Sequence, residues 1–158
     1  MKDKIKGIIK NSIFFGKQNI TDGYYLLNNN PTDIVITVLS VNECKEYEIN
    51  NQTFHGFQWY KLVCEPDNLS MLSKYYGLIH IILKNAYENN KNVLIHSSSK
   101  QLRAGHILAV YFMLEKNWDV KTTVEFMKII RPDIILGKES ISELQKIEYN
   151  VQNYKYFK

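Results

Sequence analysis

Hydrophobic positions along the chain fall alternately into runs that suit strands and spacings that suit helices. Residues 12–16, Ser-Ile-Phe-Phe-Gly, read as a short strand ended by glycine. Residues 19–28 carry Ile20, Tyr24, Leu26 and Leu27 at spacings that predict a short helix. Asn28-Asn29-Asn30-Pro31 closes it, because proline cannot continue a helix and biases its neighbour towards extended backbone. Residues 33–39 (Asp-Ile-Val-Ile-Thr-Val-Leu) are β-branched and almost wholly apolar, which predicts a central buried strand. The polar stretch 41–52 predicts a loop. Residues 54–63 alternate well enough for another strand, with Phe54, Phe57, Trp59 and Leu62 as its apolar residues and one slip of phase.

Cys64-Glu65-Pro66-Asp67-Asn68 breaks that alternation. From 69 to 89 the period changes: Leu72, Tyr75, Tyr76, Ile79, Ile82, Leu83 and Ala86 follow helical spacing until Asn89-Asn90. A strand over 92–95 comes next, then small and polar residues, then an apolar segment over 107–116 that predicts a helix buried nearly all round. Asp119 or Thr122 is placed to cap a following helix with Val124, Met127 and Ile130 on its apolar face, ended by Arg131-Pro132. A last helix starts at Lys138 or Ser140 and carries Ile141, Leu144 and Ile147. Strands alternating with helices predict an α/β fold with a central, mostly parallel sheet flanked by helices. With 158 residues, no repeat and no linker, residues 1–158 read as a single domain.

Composition narrows the picture modestly. The apolar and aromatic content, 45% and 13%, is that of a chain that folds around a core. No apolar run approaches the ~20 residues that span a bilayer, and the basic start, Met1 to Lys6, has no apolar region after it. Cys44 and Cys64 lack metal-ligand spacing and read as unpaired thiols of a reducing compartment, so an intracellular, cytoplasmic location is expected. His55, His80 and His106 are scattered and suggest no metal, and no cofactor motif is present. The net charge of +4 is mild, and no interleaved basic and aromatic run marks a nucleic-acid partner.

The chemistry concentrates in Val93-Leu94-Ile95-His96-Ser97-Ser98-Ser99-Lys100-Gln101-Leu102-Arg103. A strand, a tight loop and a helix start form the usual frame for an anion, because loop amides and the positive end of the helix dipole converge on one point. Arg103 can add a planar fork that grips two phosphate oxygens. A solvated arginine at that place is the weaker reading, since a cation at a helix N-terminus is unfavourable unless an anion neutralises it.

His96-Ser97-x5-Arg103 resembles the phosphate loop of the protein tyrosine phosphatases, and especially of the small dual-specificity phosphatases. Their pattern is His-Cys-x-x-Gly-x-x-Arg-Ser/Thr at the end of a strand. The resemblance runs over nearly the whole chain. Ile13-Phe14-Phe15-Gly16 looks like the family's opening Leu-Tyr-Leu-Gly strand, residues 34–41 like the strand before its Val-Leu-Asn turn, and Arg131-Pro132 with the closing helix like its C-terminal region. Brevity and composition place the chain nearest the compact viral H1-like type. Three positions depart: Ser97 stands at the nucleophilic cysteine, Lys100 at the glycine, and Ala104 at the Ser/Thr after the arginine.

The resemblance implies a phosphate site formed by Ser98, Ser99, Lys100, Gln101, Leu102 and Arg103, with Ser97 at the degenerate nucleophile position. In the family the cysteine is a thiolate, since such loops lower a thiol pKa to ~3.5–7.5. A serine hydroxyl gains no such ionisation and needs an adjacent base. His96 cannot serve, because successive side chains on a strand point to opposite faces. The family's general acid is an aspartate about thirty residues before the nucleophile. Asp67, 30 positions before Ser97, is the candidate, and Glu65 is the reserve. Asp67 is equally placed to cap the helix that begins near Leu69.

Three functions follow from these residues. The first is a catalytically inactive, pseudophosphatase-like domain that binds phosphorylated protein or another phosphate-like anion. The second is an active dual-specificity phosphatase whose cysteine has been engineered to serine. The third is a scaffold that no longer binds anions and acts through another surface, such as a homodimer interface. Lys100 and Ala104 favour natural loss, since an engineer would change one residue.

Overall fold

The computed structural model describes residues 12–15, 20–22, 32–42, 58–65, 67–97 and 102–154. Five strands form one sheet: β1 (Ser12–Phe15), β2 (Ile20–Asp22), β3 (Ile34–Leu39), β4 (Gln58–Val63) and β5 (Val93–Ser97). Their order is β2-β1-β5-β3-β4. β5, β3 and β4 run parallel, and β1 adds antiparallel to β5 and to β2. All residues of β3 and β5 are buried, as their unbroken apolar runs require of strands with neighbours on both edges. The α/β class with a parallel central sheet is thus present, with an antiparallel hairpin on one side.

A 3-10 helix (Leu69–Tyr75) leads directly into α1 (Tyr76–Glu88). It is followed after β5 by α2 (Leu102–Lys116), α3 (Val120–Ile130) and α4 (Lys138–Tyr154). α2 touches α1, α3, α4, β5 and β1, so every residue from 103 to 113 is buried. Phe112, Trp118 and Phe126 interlock at ring-centroid distances of 4.9–5.9 Å and fix α3 to α2. Asn90, at φ 56°, ends α1 in the left-handed region that asparagine tolerates, and Lys91 N–H donates to the Ala86 carbonyl. Asp119 caps α3 by accepting from the Thr122 N–H at 2.7 Å. Among the described residues no helix is long and apolar enough to cross a membrane.

The structure departs from the sequence reading at three places. Ile20–Asp22 is a strand rather than part of a helix: Ile13↔Asp22, Phe14↔Thr21 and Phe15↔Ile20 pair across a hairpin, and tertiary pairing overrides local spacing. Residues 23–30 lie outside the described residues, as do 43–57 and with them the first half of the strand expected over 54–63. Val41 and Asn42, expected in a loop, are helical. The helix expected from 69 begins with a 3-10 segment, because Leu69 and Leu72 are buried and Tyr75 half-buried at every third position, the repeat that a 3-10 helix lines up. α2 begins at Leu102, so Arg103 stands at the helix start as the strand, loop and helix reading expects, ahead of the apolar run from Ile107.

Candidate functional site

The site is built where β5 ends. His96 and Ser97 are consecutive, both 1% exposed, and meet different surroundings. The His96 ring lies against β3, with Nε2 2.7 Å from Thr37 Oγ1. Trp59 Nε1–H donates to that same oxygen at 2.8 Å, so one hydroxyl joins the indole to the imidazole. Burial pushes the His96 pKa down to about 4, so the ring is neutral at physiological pH. It is a structural member of the sheet and no base for Ser97. Ser97 Oγ is buried with no hydrogen-bond partner among the described residues. No described group is in place to take its proton.

Arg103 stands on the first turn of α2, six positions after Ser97, and is 1% exposed. The reading of a solvated arginine is therefore excluded. Its Nη1 donates to the carbonyl oxygen of Cys64 at 2.8 Å. Cys64 follows β4 directly, and its N–H donates to the Leu39 carbonyl at 2.9 Å, continuing the β3–β4 ladder by one bond. The Cys64 thiol donates to the carbonyls of Glu65 and Asn68 at 3.3 and 3.4 Å. Burial raises its pKa to about 11 although Arg103 pulls it down, so this thiol is protonated and unreactive at neutral pH. Ser98, Ser99, Lys100 and Gln101 lie outside the described residues. Leu102 contributes the first residue of α2, and its side chain lies outside them too.

The acidic candidates sit just past Cys64. Glu65 N–H-facing chemistry is spent locally: its Oε1 accepts from the Val41 N–H at 3.0 Å, and its carbonyl accepts from the Asn68 N–H at 3.1 Å in a tight turn. Asp67 is exposed in that turn. It does not cap the following helix. Asn68 occupies the cap position and makes no side-chain cap bond. Asp67 thus keeps its carboxylate towards solvent, three residues beyond the carbonyl that holds Arg103. Asp133 is a turn residue, as expected, held by Arg131 at 2.7 and 2.9 Å.

Two further groups brace the site and were not read from the sequence. Glu139, on the first turn of α4, accepts from the Leu69 N–H at 2.7 Å and ties the acidic turn to α4. Its neighbour Ser140 is buried and lies 2.7 Å from His106 Nδ1, while His106 Nε2 lies 2.9 Å from Tyr76 Oη. His106 is one turn after Arg103, so α4 fixes both the acidic turn and the start of α2. A histidine inside an otherwise apolar helical segment is the one sequence signal that pointed to such a network. Glu139, 70 positions from Leu69, gave none.

No protein-family model and no curated protein matches the chain. Solved structures do match in shape. DUSP15 superposes with a TM-score of 0.63 at 16% identity, over 80% of this chain and 76% of that one. Human DUSP28 gives 0.61 at 16% identity, over 82% of both chains. PTPMT1 in complex with PI(5)P gives 0.58 at 20% identity, over 81% and 83%. The chain has the fold of the dual-specificity phosphatases, and at these identities the likeness is one of fold.

Proposed function

We propose that this protein is a catalytically inactive, phosphatase-like domain that binds the phosphate group of phosphorylated protein through the loop from Ser97 to Arg103. The observation that carries the reading is the contrast between the two ends of that loop. At one end Ser97 holds a buried hydroxyl that meets no base among the described residues. At the other, Arg103 is fixed in the first turn of a 15-residue helix. Hydrolysis needs an ionised nucleophile, and serine does not ionise near neutral pH without a base. Binding needs only donors and positive charge, which the helix start, Arg103 and Lys100 supply. Ala104 lacks the hydroxyl found after the arginine in active relatives. PTPMT1, which shares the fold, is seen with the phosphate-bearing PI(5)P.

Calorimetric titration with a phosphopeptide and with inorganic phosphate, alongside aryl phosphate hydrolysis, tests the reading. The native protein is expected to bind both ligands and hydrolyse nothing. Arg103→Lys, which loses the bidentate fork, is expected to bind at least about tenfold more weakly. Ser97→Cys alone is expected to stay silent because Lys100 and Ala104 also depart from the active pattern. Vigorous turnover by Ser97→Cys would instead establish the second reading, an active enzyme whose nucleophile has been replaced. Equal, negligible heats from native and Arg103→Lys proteins would leave only a scaffold.

A further inference from the structure

We infer that Glu139 and Ser140, side by side in the first turn of α4, are positioning residues for Arg103 and set how tightly the site holds phosphate. The inference rests on the anion-binding reading above and adds two residues that lie outside the loop itself.

An arginine grips two phosphate oxygens only when its planar fork is aimed, and a long side chain does not aim itself. Arg103 is aimed by its bond to the Cys64 carbonyl, so whatever places Cys64 relative to the start of α2 places the guanidinium. Cys64 is tied forward, because its thiol donates to the Asn68 carbonyl at 3.4 Å. Leu69, the next residue, donates its N–H to Glu139 Oε1 at 2.7 Å. Ser140 Oγ lies 2.7 Å from His106 Nδ1, and His106 stands one turn after Arg103 on α2. The path from Arg103 through Cys64, Asn68-Leu69, Glu139-Ser140 and His106 therefore returns to the helix it left.

A second circuit runs through the same two residues. The 3-10 helix that begins at Leu69 ends at Tyr75, and Tyr76 Oη lies 2.9 Å from His106 Nε2. That segment is held at both ends, at Leu69 by Glu139 and at Tyr76 by Ser140 acting through His106. Both circuits contain the Glu139–Leu69 and Ser140–His106 bonds, so the loss of either bond opens both. The chain leading into α4 also presses on this turn of α2: an added Cβ on Gly105, between Arg103 and His106, would stand 2.6 Å from the Ile134 Cγ2. The start of α4 thus governs the guanidinium from three sides without touching it.

Calorimetric titration of the full chain with inorganic phosphate, paired with urea unfolding, tests this. By charge alone, deleting the Glu139 carboxylate would tighten anion binding. Positioning has the opposite sign: Glu139→Ala is expected to bind phosphate about fivefold more weakly than native, and Ser140→Ala to match it. Glu139→Gln loses the same charge but keeps an acceptor for the Leu69 N–H, and is expected to bind at least as tightly as native. Leu144→Val, which trims the buried face of α4 and leaves both bonds in place, is expected to lose stability and keep its affinity. Native or tighter binding by Glu139→Ala, or an equal loss in Leu144→Val, would overturn the inference and leave the anion site standing. Glu139 is exposed, so its variants decide the matter even where Ser140→Ala fails to fold. If the native protein gives no heat with phosphate, the anion-site reading itself fails and takes this one with it.

Discussion

Arg103 Nη1 donates to the carbonyl oxygen of Cys64 at 2.8 Å, across 39 positions of sequence, and so joins the start of α2 to the end of β4. The arginine is a member of the fold as well as a candidate ligand for an anion. Arg103→Met removes the donor, leaves a buried carbonyl unpaired and alters packing around α2. Stability is expected to fall by about 2–4 kcal/mol, read as a lower urea midpoint with an unchanged slope.

Thr37 links Trp59 and His96 through one hydroxyl. Thr37→Val keeps the shape and removes the oxygen, so an indole N–H and an imidazole nitrogen lose their partner together. The expected cost is about 2–3 kcal/mol by chemical denaturation. Trp59 fluorescence is expected to change in the folded state, which a loss of packing elsewhere would not produce.

His96 and His106 are both buried, and burial lowers each pKa to about 4 from an ordinary 6.5. Between those values the unfolded chain binds protons that the folded chain refuses. Stability is therefore full above pH 6.5 and is lost as pH falls towards 4. The slope is expected to be up to about 1.4 kcal/mol per pH unit for each histidine. Denaturation curves from pH 7 to 5 check it, and His106→Gln is expected to halve the slope over that window.

Gly105 faces Ile134 so closely that an added Cβ would stand 2.6 Å from the Ile134 Cγ2. Gly105→Ala is expected to destabilise by about 1–3 kcal/mol, as overpacking does, despite alanine's better helix propensity. Adding Ile134→Ala removes the clashing methyl, so the two substitutions together are expected to cost less than the sum of their separate effects in thermal melts.

Much of this fold can be read from the chain because burial leaves plain marks. The apolar runs of β3 and β5 and the helical spacing from Leu72 to Ala86 are properties of neighbouring residues, and they appear where expected. Ile20–Asp22 was misread because its structure depends on a partner strand rather than on its own spacing. The burial of the first turn of α2 was not legible: Arg103, Gly105 and His106 carry no apolar pattern, yet each is buried by contacts from distant elements. Around the candidate site, the strand end at His96 and Ser97, the turn after Cys64 and the helix start at Arg103 were legible from the local pattern of residues. The tether to Cys64, the docking of Glu139 on Leu69 and the Ser140–His106–Tyr76 chain were not, since they join residues that only folding brings together.

Ser97 Oγ makes no hydrogen bond to any described residue, whereas Arg103 is bonded into the scaffold. Mutation therefore meets very different resistance at these two places. A lineage built on this architecture can exchange the side-chain atom at position 97 at almost no cost to folding, yet it cannot discard the guanidinium so freely. Folding alone would preserve the basic group at the start of α2 whatever side chain position 97 carries.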